Sequence, residues 1–264
     1  MTDAECVVFL QWALPRLGLR WAGFRRVRRQ VCKRLKRRLV ELALRDANGY
    51  RSRLMEQPSE WRHLEDCCRI SISRFCRDRQ VFAALTQYVV PTLAQAGCVE
   101  AWSIGCASGE EPYTLRLIWT LGLKNPDGRR LRVLATDTDA RLLQRARVAC
   151  YPSTCLGELS PDCIAAAFRH TGQQYCLRAE FRNDVELVQQ DIRKAAPERS
   201  FHLILCRNLV FTYFDTTAQR EALDRIVARL LPGGALVLGK HEHVPGPRDE
   251  LVSWFPHLNI LRRA

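Results

Sequence analysis

Two adjacent carboxylates, Glu110 and Glu111, follow a glycine-bounded turn in the run Ala101-Trp-Ser-Ile-Gly-Cys-Ala-Ser-Gly-Glu-Glu-Pro-Tyr113. The apolar residues 99–104 read as the end of a buried strand, and a helix is expected to start at Glu110. Strand, glycine turn and helix start together form the unit on which α/β proteins hold nucleotide-like cofactors. A dinucleotide turn aims bare backbone N–H groups at a pyrophosphate, because a helix N-terminus carries partial positive charge. Here the two glutamates occupy that first helical turn, satisfy the dipole and repel a phosphate. No Lys-Ser/Thr follows the second glycine, which excludes a P-loop. The turn suits a cationic, phosphate-free cofactor. S-adenosylmethionine, with its ammonium and sulfonium groups, is the common one. Taken alone, the stretch reads equally well as an ordinary turn capped by acids.

The elements that would position these groups alternate along the second part of the chain. Strands are expected at 99–104, 131–136, 185–190, 201–206, 235–239 and 258–262. Helices are expected at 81–93, from Glu110, at 139–150 and at 216–231, the last closed by Pro232-Gly233-Gly234. Such alternation implies a mostly parallel sheet with right-handed crossovers and ligands at the carboxyl ends of its strands. Polar residues collect at those ends: Gly105, Asp137, Asp191, Asn208 and the run Lys240-His241-Glu242. Asp137 ends the second strand, where a carboxylate accepts both ribose hydroxyls or caps the next helix. Residues 151–184 break the alternation. There Ser160 caps a short helix, and residues 173–178 and 179–182 read as short strands, which makes a small inserted subdomain.

Residues 1–69 read as all-helical. Phe24, Val27, Val31, Leu35, Leu39 and Leu42 form one apolar stripe at spacings of three and four. Asn48-Gly49 is expected to end that helix, and Ser59 to cap a helix over 60–68. The net charge of +13 is concentrated here: residues 20–53 hold thirteen Lys/Arg against Glu41 and Asp46. Residues 80–264 hold 22 basic and 19 acidic side chains, so the basicity belongs to the N-terminal unit and suggests an acidic partner. A hydrophobic fraction of 47% suits a soluble globular protein. No signal peptide or membrane-length apolar run is found, so a cytoplasmic protein is expected. The twelve cysteines form no Cys-x-x-Cys pair and sit mostly in apolar runs. They are expected to be reduced, buried small hydrophobes, with no metal-ligand spacing among them or among His241, His243 and His257.

The chain resembles the CheR family, bacterial methyltransferases that esterify glutamate side chains on chemoreceptors. The resemblance is carried by Ser-Ile-Gly-Cys-Ala-Ser-Gly-Glu-Glu-Pro-Tyr at 103–113, Ala-Thr-Asp-Thr-Asp at 135–139 and Leu-Cys-Arg-Asn-Leu at 205–209. Tyr-Phe-Asp at 213–215, Pro-Gly-Gly at 232–234 and Gly-Lys-His-Glu at 239–242 extend it, as does the joint Ser71-Ile-Ser-Arg-Phe-Cys-Arg-Asp78. It implies an all-α domain over 1–69, a linker over 70–80 that contributes to the cofactor site, and a Rossmann-like S-adenosylmethionine-dependent methyltransferase domain over 81–264 carrying the insertion.

The resemblance further implies that Asp137 holds the ribose, that Asp191 and Ile192 bracket the adenine, and that Arg77 reaches the cofactor's carboxylate beside the reacting centre. One of Glu110 and Glu111, with Glu111 favoured, meets the cofactor's amino end. Ser71, Ser73, Gly105, Arg207 and Asn208 complete the expected cofactor contacts. Tyr213 matches a tyrosine placed near the methyl group and, with Arg77, is the expected catalytic pair. The chain departs from the family pattern here. Four residues, 209–212, separate Asn208 from Tyr213 where the family has three, which turns the side chain by about 100° on a helix. Phe211 and Thr212 are the alternative occupants of that spot. His202 stands where the family has Asp, which is expected to affect a turn. The basic face with Arg26, Arg29, Lys33 and Arg37 is expected to dock an acidic receptor helix.

Methyl transfer to a carboxylate joins an anion and a sulfonium in line and needs neither general base nor metal. A same-fold enzyme acting on RNA or a small metabolite, or a non-catalytic cofactor-binding adaptor, are the alternatives. RNA is disfavoured because the arginine run lacks interleaved aromatics beyond Trp21 and Phe24.

Overall fold

The computed structural model describes residues 1–122 and 128–264. Residues Met1–Ser71 and Thr212–Gln219 form one compact unit, and Ile72–Phe211 with Arg220–Ala264 form a second. The units thus differ from the division expected at residue 69: the first takes in 212–219 and the second takes in 72–80.

The first unit is helical. Its helix Asp3–Ala13 starts at a capping box, in which the Thr2 side chain accepts from Glu5 N and the Glu5 carboxylate accepts from Thr2 N. The expected apolar stripe is split between a single turn, Trp21–Phe24, and the helix Arg28–Glu41, which buries Val31, Cys32, Leu35 and Leu39. Asn48-Gly49 does not end that helix. It lies inside the next one, Ala47–Glu56, because the Asp46 side chain accepts from Gly49 N at 2.8 Å and caps it. Helix Glu60–Cys68 begins after Ser59, whose side chain makes no capping bond. Glu60 is buried and takes a two-point hydrogen bond from Arg38 (2.9 and 2.7 Å) and one from Tyr50 Oη (2.8 Å). A Cys6–Cys32 disulfide ties the first helix to Arg28–Glu41.

Among the described residues the second unit carries ten strands: β1 (Cys98–Ile104), β2 (Arg130–Asp137), β3 (Cys150–Tyr151), β4 (Phe168–Thr171), β5 (Gln174–Leu177), β6 (Val185–Gln189), β7 (Phe201–Cys206), β8 (Leu230–Leu238), β9 (Leu251–Phe255) and β10 (Ile260–Arg263). Seven of them form one sheet in the order β6-β2-β1-β7-β8-β10-β9. The first five in that order run parallel, while β10 runs antiparallel to β8 and β9 antiparallel to β10. This is the Rossmann-like α/β architecture expected. One face of the sheet, with Val99, Ala101, Val133, Leu203, Leu205, Ala235 and Val237, packs on Val81, Leu85, Val89, Leu115 and Ile118. These strands are continuous apolar runs because helices cover them. β9 escaped the sequence reading, since Leu-Val-Ser-Trp-Phe lies in a Pro- and Gly-rich stretch. Pro232-Gly233-Gly234 lies within β8 instead of closing the preceding helix, which is Thr216–Arg229.

The inserted subdomain is a three-stranded antiparallel sheet, β3-β5-β4, beside a helix Pro161–Ala167 that Ser160 caps at Cys163 N. Residues 179–181 form a 3-10 turn there, not the expected strand, and β4 supplies the third strand instead. Cys150 and Cys176 are direct cross-strand partners and form a disulfide. The expectation of reduced cysteines therefore fails for four of the twelve. Their pairing depends on which strands and helices meet, and spacing along the chain does not reveal that. Among the described residues no helix is long and apolar enough to cross a membrane.

Candidate active site

In the large sheet β1 lies between β2 and β7. The chain leaves β1 for β2 and β6 on one side, then returns to β7 on the other. Such a reversal opens a crevice at the carboxyl ends of the two central strands. Gly105 follows β1 with φ of +74°, and a Cβ there would lie 2.6 Å from Leu209 Cδ2. Only glycine accepts both the backbone angle and that closeness. Gly105 N and Cys106 N both donate to Thr136 O, at 2.8 and 3.0 Å. The turn is thereby tied to the end of β2. Asp137 closes the same corner: Oδ2 accepts from Ala107 N and Oδ1 from Asp139 N, each at 2.9 Å. The cap of the following helix is Asp139, which accepts from Arg141 N at 2.9 Å, so Asp137 does not fill that role.

Helix Glu110–Leu117 begins with the two acids. Glu111 Oε1 accepts from Ser103 Oγ at 2.8 Å and its Oε2 from Arg207 Nη1 at 3.0 Å. Glu110 is buried; its Oε1 accepts from Ser108 Oγ at 2.9 Å, while its Oε2 has no hydrogen-bond partner. Burial pushes the Glu110 carboxyl above the usual carboxylate range, against the pull of its own backbone and of the Ser108 and Ser73 hydroxyls. Burial likewise pushes the Cys106 thiol well up, making it an inert filler of the turn.

The segment 72–79 lies against these ends. Phe75 is fully buried and meets Tyr151 and Phe168 edge-on, with ring centroids 4.9 and 5.3 Å away. Phe75 N donates to Cys155 O, and Cys76 N to Thr114 Oγ1. Cys76 and Asp78 both have positive φ, which curls the backbone around Arg77. Arg77 Nη1 donates to Ile72 O at 2.8 Å and Nη2 to Asn208 Oδ1 at 3.1 Å. Arg207 is buried and clamps the curl from below. Its Nη2 donates to Arg77 O and Asp78 Oδ2, both at 2.7 Å, and its Nη1 to Glu111. Its guanidinium also lies 5.0 Å from the Phe82 ring centroid.

Arg77, Glu111, Arg207 and Asn208 are thus joined, and Gly105, Asp137 and Glu110 edge the same strand ends. Asp191 and Ile192 follow β6. Burial raises the Asp191 carboxyl, but the Arg193 hydrogen bonds outweigh it and hold the group below its ordinary value. Ile192 is buried. His202 accepts from Glu100 N at 3.1 Å through Nδ1, a strand-end contact remote in kind from the acid cluster. Ser71 and Tyr213 belong to the first unit. Residues Val210–Tyr213 form a helical turn, in which Phe211 is buried. Within its unit the Tyr213 ring is half-buried, 5.0 Å from that of Phe24. Arg29, Lys33 and Arg37 are exposed along helix Arg28–Glu41, and Arg26 is exposed in the turn before it rather than on the same helix.

The sequence reading missed Asp78, Ser103 and Thr114 as parts of the site. Asp78 was visible as the one acid in an arginine-rich joint; the other two are ordinary hydroxyls, Ser103 meeting Glu111 within the same motif and Thr114 meeting Cys76 N far back along the chain. Among the described residues no group of three or more His, Cys, Asp or Glu gathers to hold a metal.

The residues fit a cationic cofactor. Among the described residues the buried Glu110 Oε2 accepts no hydrogen bond, which leaves it open to the ammonium of such a cofactor. The chain matches the family model described as "CheR methyltransferase, SAM binding domain" over residues 71–257. It is 32% identical to the "Chemotaxis protein methyltransferase" of Salmonella typhimurium, over 92% of this chain and 85% of that one. It is 31% identical to that of Escherichia coli with the same coverage, and 33% identical to that of Listeria monocytogenes over 68% of each chain.

Proposed function

This chain belongs to the CheR methyltransferase family and is an S-adenosylmethionine-dependent methyltransferase, and on that premise we propose that it methylates glutamate carboxylates on an acidic helix of a chemoreceptor. The observation that carries the site assignment is the linked set Arg77, Asn208, Arg207 and Glu111 at the ends of β1 and β7. Arg77 grips the cofactor's carboxylate in two-point fashion. The acids Glu111 and Glu110 face its ammonium group: each Glu111 oxygen keeps a second lone pair, and Glu110 offers a whole oxygen. Asp137 meets the ribose, and Ile192 supplies the apolar wall of the adenine site beside Asp191. Arg207 is a positioning residue, since its guanidinium is committed to Asp78, Arg77 O and Glu111.

The bound cofactor supplies an electrophilic methyl group on a sulfonium. An ionised glutamate is already a competent nucleophile, so the chain's work is alignment and exclusion of water. Ser71, Ser73 and Tyr213 are tested for the expected roles by Ala and Phe substitution. A loss confined to kcat is expected for Tyr213→Phe, and a rise in cofactor KM for the serines. Arg26, Arg29, Lys33 and Arg37 dock the acidic substrate, and a cytoplasmic location follows from a receptor's signalling helices being the target.

The assay is incubation with methyl-labelled cofactor and receptor-containing membranes, followed by alkali. Label released as volatile methanol is expected of a carboxyl methyl ester. Alkali-stable label on RNA or a metabolite would overturn the substrate assignment.

A further inference from the structure

We propose that Glu242 is a positioning residue of the cofactor site, fixing the backbone of Asn208 and, through Asn208, the guanidinium of Arg77. This rests on the reading that Asn208 and Arg77 line that site. Glu242 is a buried carboxylate beyond the end of β8. Its Oε2 accepts two main-chain donors at once, Asn208 N at 2.8 Å and Gly239 N at 2.7 Å. One atom therefore ties the end of β7 to the end of β8.

The turn that delivers this carboxylate is itself held. Glu242 N donates to Gly239 O at 3.0 Å. From the other side, the Asn259 amide donates to Gly239 O, Lys240 O and Glu242 O at 2.9, 3.0 and 2.9 Å. A Cβ on Gly239 would lie 2.6 Å from Glu242 Oε2 and 3.2 Å from Asn208 N. Only glycine lets the carboxylate slide beneath both donors.

What it holds is an uncommon backbone. Asn208 has φ of +57°, a left-handed conformation that carries a cost for a residue with a side chain, smaller for Asn than for most. A charge-assisted bond to its N–H offsets that cost. In this conformation Asn208 Oδ1 receives Arg77 Nη2, while Ile72 O receives Nη1. The guanidinium is thereby fixed at two points, and one of them depends on Glu242.

The test is calorimetric titration of the full-length protein with S-adenosylhomocysteine, the demethylated cofactor, alongside thermal unfolding. Asn208→Ala is expected to weaken binding about tenfold, the scale of one lost charge-assisted hydrogen bond. Glu242→Gln keeps the length and an acceptor oxygen, and is expected within about threefold of the unaltered protein. Glu242→Asp is one methylene short and is expected to lose about tenfold. The double variant Glu242→Asp with Asn208→Ala is expected to bind no more weakly than Asn208→Ala alone, since one residue acts through the other. Full additivity would overturn the role of Glu242 and leave the site assignment standing. A lowered Tm with unchanged affinity in Glu242→Asp would overturn it too. Unchanged affinity in Asn208→Ala would instead overturn the site assignment. Should Glu242→Asp not fold, Gly239→Ala crowds the same oxygen and takes its place in the cycle.

Discussion

Glu110 is the residue whose ionisation most directly connects fold and function. Burial holds its carboxyl above the ordinary value. An acid with a raised folded-state pKa contributes stability below its unfolded value and loses it as pH rises through the folded one. Once ionised, Glu110 weighs against the free protein, and a bound ammonium would relieve it. Glu110→Gln is expected to raise Tm of the free protein at pH above the raised Glu110 value while weakening cofactor binding about tenfold. Cofactor affinity in the parent should fall as pH drops through the raised Glu110 value, and the Gln variant should lose that slope; calorimetry across pH checks both. Arg77→Lys keeps the charge but not the two-point fork. It is expected to lower kcat/KM by about a hundredfold, on the scale of a misplaced substrate-positioning group. Motif spacing and strand ends placed Gly105, Glu110, Glu111, Asp137 and Asn208 together in the sequence reading, and the family resemblance added Arg77. Asp78, Ser103 and Glu242 stood inside the quoted motifs, but their bridging bonds were not legible, because sequence does not tell a buried bridging acid or hydroxyl from a solvated one.

Among the elements, the first unit's helices depend on two cross-links. Cys6 and Cys32 are 26 residues apart, a loop whose closure is worth about 3 kcal/mol in the chain-entropy model. Paired Cys6→Ala and Cys32→Ala substitution, or reduction, is expected to lower stability by up to that amount in denaturant titration. The second cross-link is Glu60, whose carboxyl is held low chiefly by the Arg38 hydrogen bond against burial. Its contribution is fully present above its unfolded value near ~4.3 and is lost as pH falls through the lowered folded value. Glu60→Ala leaves the buried Tyr50 hydroxyl without its acceptor and Arg38 with Glu41 alone, and is expected to cost about 2 kcal/mol. The helix over 60–68 and the strands β1, β2, β6 and β7 could be read from periodicity and apolar runs. The end of Arg28–Glu41 could not: Asn48-Gly49 looked like a stop, but Asp46 made it a helix start. β9 did not stand out because its residues are mixed and flanked by Pro and Gly.

At the scale of the molecule, basic charge is densest near the N-terminus: thirteen Lys/Arg lie in residues 20–53 against two acids, while residues 80–264 hold 22 basic and 19 acidic side chains. Arg26, Arg29, Lys33 and Arg37 are exposed, whereas Arg38 is committed to Glu60. Reversing Arg29, Lys33 and Arg37 to Glu is expected to raise KM for an acidic receptor segment at least tenfold. It should leave cofactor affinity unchanged and flatten the salt dependence of the parent. The fold class could be read because alternating apolar strands and helices admit few topologies. The assignment of 212–219 to the helical unit could not, since it reflects contacts made far along the chain.

The central claim is esterification of glutamate. Its most direct measurement is mass spectrometry of a purified receptor signalling segment incubated with this protein and S-adenosylmethionine, before and after alkali. The expected result is a methyl-group mass increment on glutamate that alkali removes, and that is absent with Arg77→Ala. An alkali-stable increment on another side chain, or cofactor binding without any modified glutamate, would contradict it.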